Sequence, residues 1–128
     1  RGERELVWKS YVNVLRHFVD NGKKVVLVLQ APELPVPVED LLLKSQNPLG
    51  KVNGVSRDWW NQRSGFVRQH LFDIPKEVLV IDPAEIFCNE KNCQAANDGV
   101  AFYFDDDHLS VEGARLVVKE IIKRGGLE

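Results

Sequence analysis

The chain has 128 residues, 44% hydrophobic and 28% charged, with 17 basic against 19 acidic side chains and a formal net charge of -2. This composition suits one small globular domain with a packed core. The charge balance, with no Lys/Arg run, argues against nucleic acid as a partner, and no apolar stretch approaches the roughly 20 residues that cross a bilayer.

In chain order, Glu5 to Asp20 reads as an amphipathic helix, with Leu6, Val7, Tyr11, Val14, Leu15, Phe18 and Val19 recurring at the helical period. Asn21-Gly22 supplies its stop. Val25 to Leu29, an apolar run rich in β-branched residues, reads as a strand covered on both faces, as in a parallel sheet. Ala31-Pro32 ends it, and Pro35 and Pro37 keep the next segment extended. Glu39 to Lys44 reads as a short helix, and residues 45–55, with Asn47-Pro48, Gly50 and Asn53-Gly54, as a loop. Ser56 is placed to cap a long helix running to about His70. Val78 to Ile81 reads as a second buried strand, followed by a polar stretch that carries Cys88 and Cys93. Val100 to Phe104 reads as a short strand or extended segment. Ser110 is placed to cap a last helix with Val111, Ala114, Val117, Val118, Ile121 and Ile122 on one face, ended by Gly125-Gly126.

Helices alternating with strands point to an α/β fold. Only two core strands are evident, against about five or six in a typical sheet. The chain has no methionine and starts at Arg1, so it reads as a piece of something longer, with the remaining strands expected upstream.

The segment richest in chemistry is Phe102-Tyr103-Phe104-Asp105-Asp106-Asp107-His108-Leu109-Ser110. A carboxylate three residues before a histidine, in a tight loop, can accept from Nδ1–H and fix the tautomer, leaving Nε2 free as a base. The same four residues, Asp105 to His108, also offer donors for a divalent cation. No Gly-punctuated calcium loop follows and no second ligand cluster is evident, so no metal is expected. Cys88 and Cys93 are close enough in sequence for a local bridge. Zinc is the rival, but it takes four ligands and the pair gives two. Trp59 and Trp60 suit either a sugar-stacking platform or, more commonly, one core and one edge position. His17 reads as a surface residue near a helix C-terminus and His70 as a cap or solvent-facing residue. Pro32 and Glu33 follow a strand end and border a possible substrate cleft.

The pattern Asp105-x-x-His108-Leu109-Ser110, followed by Gly113-Ala114, resembles the last sequence block of SGNH (GDSL-type) serine hydrolases. Gly22 to Pro32, Val80-Ile81-Asp82-Pro83 and the Cys88/Cys93 pair, in that order, are similar to SGNH domains fused to multispanning acyltransferase membrane proteins. The resemblance implies a three-layer α/β/α, flavodoxin-like fold with a parallel sheet. Residues 1–128 would be the C-terminal portion of a single SGNH domain, with its N-terminal strands and nucleophile block missing. It further implies Asp105 as the orienting acid, His108 as the general base and a Cys88–Cys93 disulfide. The activity implied is O-acyl transfer, acetyl above all, or ester hydrolysis on a cell-surface polysaccharide.

The implied partners are an acyl donor, a glycan acceptor and an upstream membrane acyltransferase domain, with no cofactor and no nucleic acid. The implied location is extracytoplasmic, in the bacterial periplasm or at the cell surface, with the parent anchored in the inner membrane. The Gly-Asp-Ser block and the Gly and Asn blocks of the family are absent. The serines are Ser10, Ser45, Ser56, Ser64 and Ser110, none of them in Gly-Asp-Ser. The chain alone is therefore expected to lack triad-dependent activity. Two other readings stand beside this one: a non-catalytic carbohydrate-binding or interaction module on an SGNH-like scaffold, and a cytosolic doubly wound domain with an unrelated ligand.

Overall fold

The computed structural model describes residues 2–126. Helix α1 (Gly2–Asp20) leads to strand β1 (Val26–Val28), helix α2 (Val38–Lys44) and strand β2 (Val52–Ser56). Helices α3 (Arg57–Arg63) and α4 (Gly65–His70) follow, then strand β3 (Leu79–Ile81) and helix α5 (Ala84–Phe87). Strands β4 (Asn92–Asn97) and β5 (Val100–Ala101) precede the last helix, α6 (Val111–Lys123). The fold is mixed α/β.

Strands β1 and β3 form a parallel pair, with Leu27 opposite Val80. Successive side chains on a strand point to opposite faces, and each face of this pair has its own helix. Leu27 and Val80 pack with Leu15 of α1, Ile74 and Val78. Val26, Leu79 and Ile81 pack with Val117 of α6 and with Phe87. A second sheet, in the order β2-β4-β5, is antiparallel. It backs a third cluster in which Ala95 meets Ala31, Leu34, Val38 and Tyr103. Ser56 caps α3 by accepting from Trp59 N at 3.0 Å, and Ser110 caps α6 by accepting from Gly113 N at 3.0 Å.

Several sequence expectations need correction. Residues 45–55 are not wholly a loop, because β2 begins at Val52 and pairs with β4 in the polar cysteine-bearing stretch. The β4–β5 turn, Asp98-Gly99, has φ of 54° and 80°, and such Asp-Gly pairs favour tight hairpins because glycine tolerates positive φ. The expected strand from Val100 to Phe104 stops at Ala101 and belongs to the antiparallel sheet. The single helix expected from Ser56 to His70 is interrupted at Ser64. There the Ser64 hydroxyl donates to Trp60 O at 2.6 Å, a local bond that competes with helix continuation.

The buried faces also differ. Helix α1 buries Val12 and Leu15, with Trp8 and Val19 beside them, while Leu6, Val7, Val14 and Phe18 are exposed. The helix carries two neighbouring apolar stripes, and periodicity does not say which one the narrow parallel pair covers. In α6 Val117 is buried, whereas Val111, Val118 and Ile122 are exposed. Val28, the last residue of β1, is exposed, while Val26 and Leu27 pack on opposite faces.

Gly113 sets how closely α6 approaches the segment before it. A Cβ there would sit far inside contact distance of the Phe102 carbonyl. Gly113→Ala gains some helix propensity, but the clash is with backbone and dominates. The expected net loss is about 2 kcal/mol, read as a lowered denaturant midpoint.

Cys88 and Cys93 form a disulfide, and no free cysteine remains. A thiol assay on unreduced native protein is expected to find no reactive thiol. Reduction is expected to lower stability by about 2 kcal/mol, the loop-closure value for so short a loop.

Candidate active site

The segment 102–110 is tied down at both ends before its acidic residues are reached. Phe102 N donates to Ala95 O and Ser110 N to Phe102 O, both at 2.9 Å. Ser110 Oγ donates to Ala101 O at 2.7 Å while it caps α6. Phe104 N donates to His108 O at 2.8 Å, closing a tight turn around Asp105–Asp107. Tyr103 is almost fully buried, and its hydroxyl donates to Pro32 O at 2.5 Å. Burial pushes its phenol well above the usual range, so it remains a donor.

The neighbouring segment grips the turn from outside. Leu34 N donates to Asp106 O at 2.7 Å and Val38 N to Asp105 O at 3.2 Å. The main-chain carbonyls of Asp105 and Asp106 are thereby satisfied by the 32–38 segment.

Within the turn, the Asp105 carboxylate is fixed by backbone donors. Its Oδ1 accepts from His108 N at 2.7 Å and from Asp107 N at 2.9 Å. Its Oδ2 lies 2.9 Å from His108 Nδ1. An ionised Asp105 accepts from Nδ1–H, which places the proton on that nitrogen and leaves Nε2 as the free acceptor. These bonds, first the backbone N–H of His108 and then that of Asp107, hold the Asp105 carboxyl well below the usual carboxylate range. The Asp105 hydrogen bond, and then the charges of Asp105 and Asp107, raise the His108 imidazole above its ordinary 6.5. The His108 side chain is 75% exposed, so an approaching group can reach it.

Asp105, Asp107 and His108 bring donor atoms within 4.8 Å of one another. In this turn the carboxylates face the Nδ1–H and backbone donors.

The other expected site residues are distributed differently. Pro32 is fully buried and acts through its carbonyl on Tyr103 rather than by lining a cleft. Glu33 binds Arg63 Nε at 2.8 Å and lines an open groove of about 320 Å³ with Gln30, Arg63, Arg68, Trp8 and Trp60. His108 is not part of that lining. Trp60 is 3% exposed and Trp59 45%, one core and one edge. His17 lies on the exposed surface of α1. His70 is the last residue of α4 and caps it: its Nδ1 bonds Phe66 O at 2.7 Å, and its ring stacks on Phe66 at 4.1 Å.

Sequence reasoning missed Tyr103, Leu34 and Val38 as supports of the turn. Main-chain bonds across 70 residues leave no mark in local sequence. The aromatic run Phe102-Tyr103-Phe104 was the available signal, since a buried tyrosine requires a hydrogen-bond partner.

No helix among the described residues is long and apolar enough to cross a membrane. Comparison with curated proteins and with solved structures gives no match. The family model described as SGNH domain (fused to AT3 domains) matches residues 2–123. With the match running from the first helix through the acidic turn to the end of α6, the chain belongs to the family of SGNH domains found fused to AT3 domains.

Proposed function

We propose that this domain takes part in acyl transfer or ester hydrolysis, with His108 as general base and Asp105 as the acid that orients it. The observation that carries the reading is the 2.9 Å contact of Asp105 Oδ2 with His108 Nδ1, beside a backbone-fixed Oδ1. Family membership supports the general acyl-transfer or esterase role. The finer reading is O-acylation, by acetyl groups above all, of a cell-surface polysaccharide outside the cytoplasm. The Cys88–Cys93 disulfide is in keeping with such a compartment. On this reading the parallel pair and its two helix layers belong to a three-layer α/β/α sheet, and residues 1–128 are the C-terminal portion of one SGNH domain.

The nucleophile on this reading is a serine from the family's Gly-Asp-Ser block. The serines of this chain have other tasks. Ser56 and Ser110 cap helices, Ser64 bonds Trp60 O, and Ser45 accepts from Asn47 N. Ser10 lies within α1. As the serine oxygen attacks the ester carbonyl, its proton passes to His108 Nε2, and Asp105 stabilises the imidazolium. The proton then goes to the departing alcohol and an acyl-enzyme remains. In the second half, His108 takes a proton from a sugar hydroxyl or from water as that oxygen bonds the acyl carbon, and returns it to the serine oxygen as the acyl–serine bond breaks. The choice of acceptor separates transferase from esterase.

In the full-length protein, His108→Ala is expected to lower kcat on an acetyl ester by about 10⁴ or more, and Asp105→Asn by about 10³ to 10⁴. Undiminished turnover by His108→Ala would overturn the assignment. The isolated 128-residue chain is expected to give no burst of p-nitrophenol from p-nitrophenyl acetate.

The pH dependence has a defined sign. A base must be neutral to accept a proton, and the His108 pKa is raised. Activity should therefore rise with pH through a midpoint above 6.5. Asp105 stays ionised throughout, because its carboxyl is depressed, so no second acidic limb is expected between pH 5 and 8. A flat kcat/KM profile over that interval would remove His108 as the base.

A further inference from the structure

The imidazole of His108 faces two carboxylates. Asp105 Oδ2 takes the Nδ1 hydrogen bond at 2.9 Å, and Asp107 Oδ1 lies at the same 2.9 Å from Nδ1. The Asp-x-x-His spacing accounts for the first and leaves the second without a role. The Asp107 carboxylate accepts no backbone N–H and caps no helix among the described residues. What it faces is the imidazole and the Asp105 side chain.

We propose that Asp107 is a second positioning carboxylate for His108, holding the ring in the orientation set by Asp105 and favouring its protonated form during proton transfer. This rests on the reading of His108 as the base. The geometry is set by the backbone, since the N–H of Asp107 donates to Asp105 Oδ1. The turn that fixes the first carboxylate therefore also fixes the Cα from which the second reaches the ring. When Nε2 takes a proton, the new positive charge lies next to two carboxylates.

The arrangement has a cost on the other partner. Partial burial, and then the charges of Asp106 and Asp105, push the Asp107 carboxyl up, while the charge of His108 works in the opposite sense. Crowding three acidic residues into one turn is unfavourable unless a cation offsets it, and a protonated His108 is such a cation. The groups acting on the imidazole are Asp105, Asp107 and Asp106. The segments packed against the turn carry Glu33, which is bound by Arg63 and Gln30, and Glu39 and Asp40 in the first turn of α2.

The test is a histidine titration of the 128-residue chain followed by NMR, with the ring signals of His17 and His70 as internal references. Asp107→Asn is expected to lower the His108 midpoint by about half a pH unit, and Asp105→Asn by more. Asp107→Glu, which keeps the charge, is expected to recover at least part of that loss. Unchanged dispersion of the amide and methyl signals in the same samples shows that the fold is retained.

An Asp107→Asn midpoint within about 0.1 unit of the parent overturns the inference, as does an Asp107→Glu variant that behaves like Asp107→Asn. If Asp105→Asn still lowers the midpoint in that case, only the role of Asp107 falls. If neither variant moves it, the Asp105–His108 pairing falls as well. In the full-length protein the midpoint of the kcat/KM profile should move down by the same amount in Asp107→Asn.

Discussion

The tie between segments 102–110 and 32–38 is the constraint on which the site depends. It consists of one buried side-chain bond, Tyr103 Oη to Pro32 O, and two main-chain bonds into the acidic turn. The side-chain bond is isolated from water, and a buried donor or acceptor that loses its partner costs roughly 1–3 kcal/mol. The chain therefore has a strong reason to keep Tyr103 and Pro32 together. Leu34, Val38 and Tyr103 share one apolar cluster with Ala95, so the packing and the hydrogen bonds favour the same arrangement.

That anchoring explains how an exposed pair can have defined geometry. Exposed ion pairs ordinarily contribute little, because two mobile side chains lose entropy on meeting and solvent screens their attraction. Here the carboxylate of Asp105 is held by two backbone N–H groups of its own turn. The turn in turn is held by a neighbouring segment. Much of the ordering cost is borne by the fold rather than by the Asp105–His108 contact, which is the condition for a preorganised site. The low-lying Asp105 carboxyl and the raised His108 imidazole follow from that order.

What the sequence disclosed and what it concealed divide along the range of the interactions. The Asp105/His108 spacing, the caps at Ser56 and Ser110, and the strands around Leu27 and Val80 are local features, legible as residue types at fixed offsets. The antiparallel sheet was concealed because Asn92–Asn97 has little β-branched content; pairing with its neighbours, not propensity, makes it a strand. The Asp98-Gly99 turn was a readable hairpin signal within that polar stretch. The buried faces of α1 and α6 were legible only as sets of apolar residues. The choice among stripes is made by the width of the sheet they cover.

The second sheet changes how the acidic turn is delivered. A strand running from Val100 to Phe104 would set the turn at a carboxyl strand end, where ligands gather in open α/β sheets. Instead Ala101 ends an antiparallel hairpin, and the chain runs on through Tyr103 into the turn before α6 begins. The turn is nonetheless coupled to the parallel pair. Phe102 and Leu109 pack against Ile81, Phe87 and Val117, and Gly113 lets α6 lie directly on the Phe102 carbonyl. The residues before and after the turn thus reach the core of the parallel pair, while the turn itself is gripped by the segment that follows β1. Two sheets of different type meet at one loop, and His108 points out of that junction with its Nε2 free to meet a reacting group.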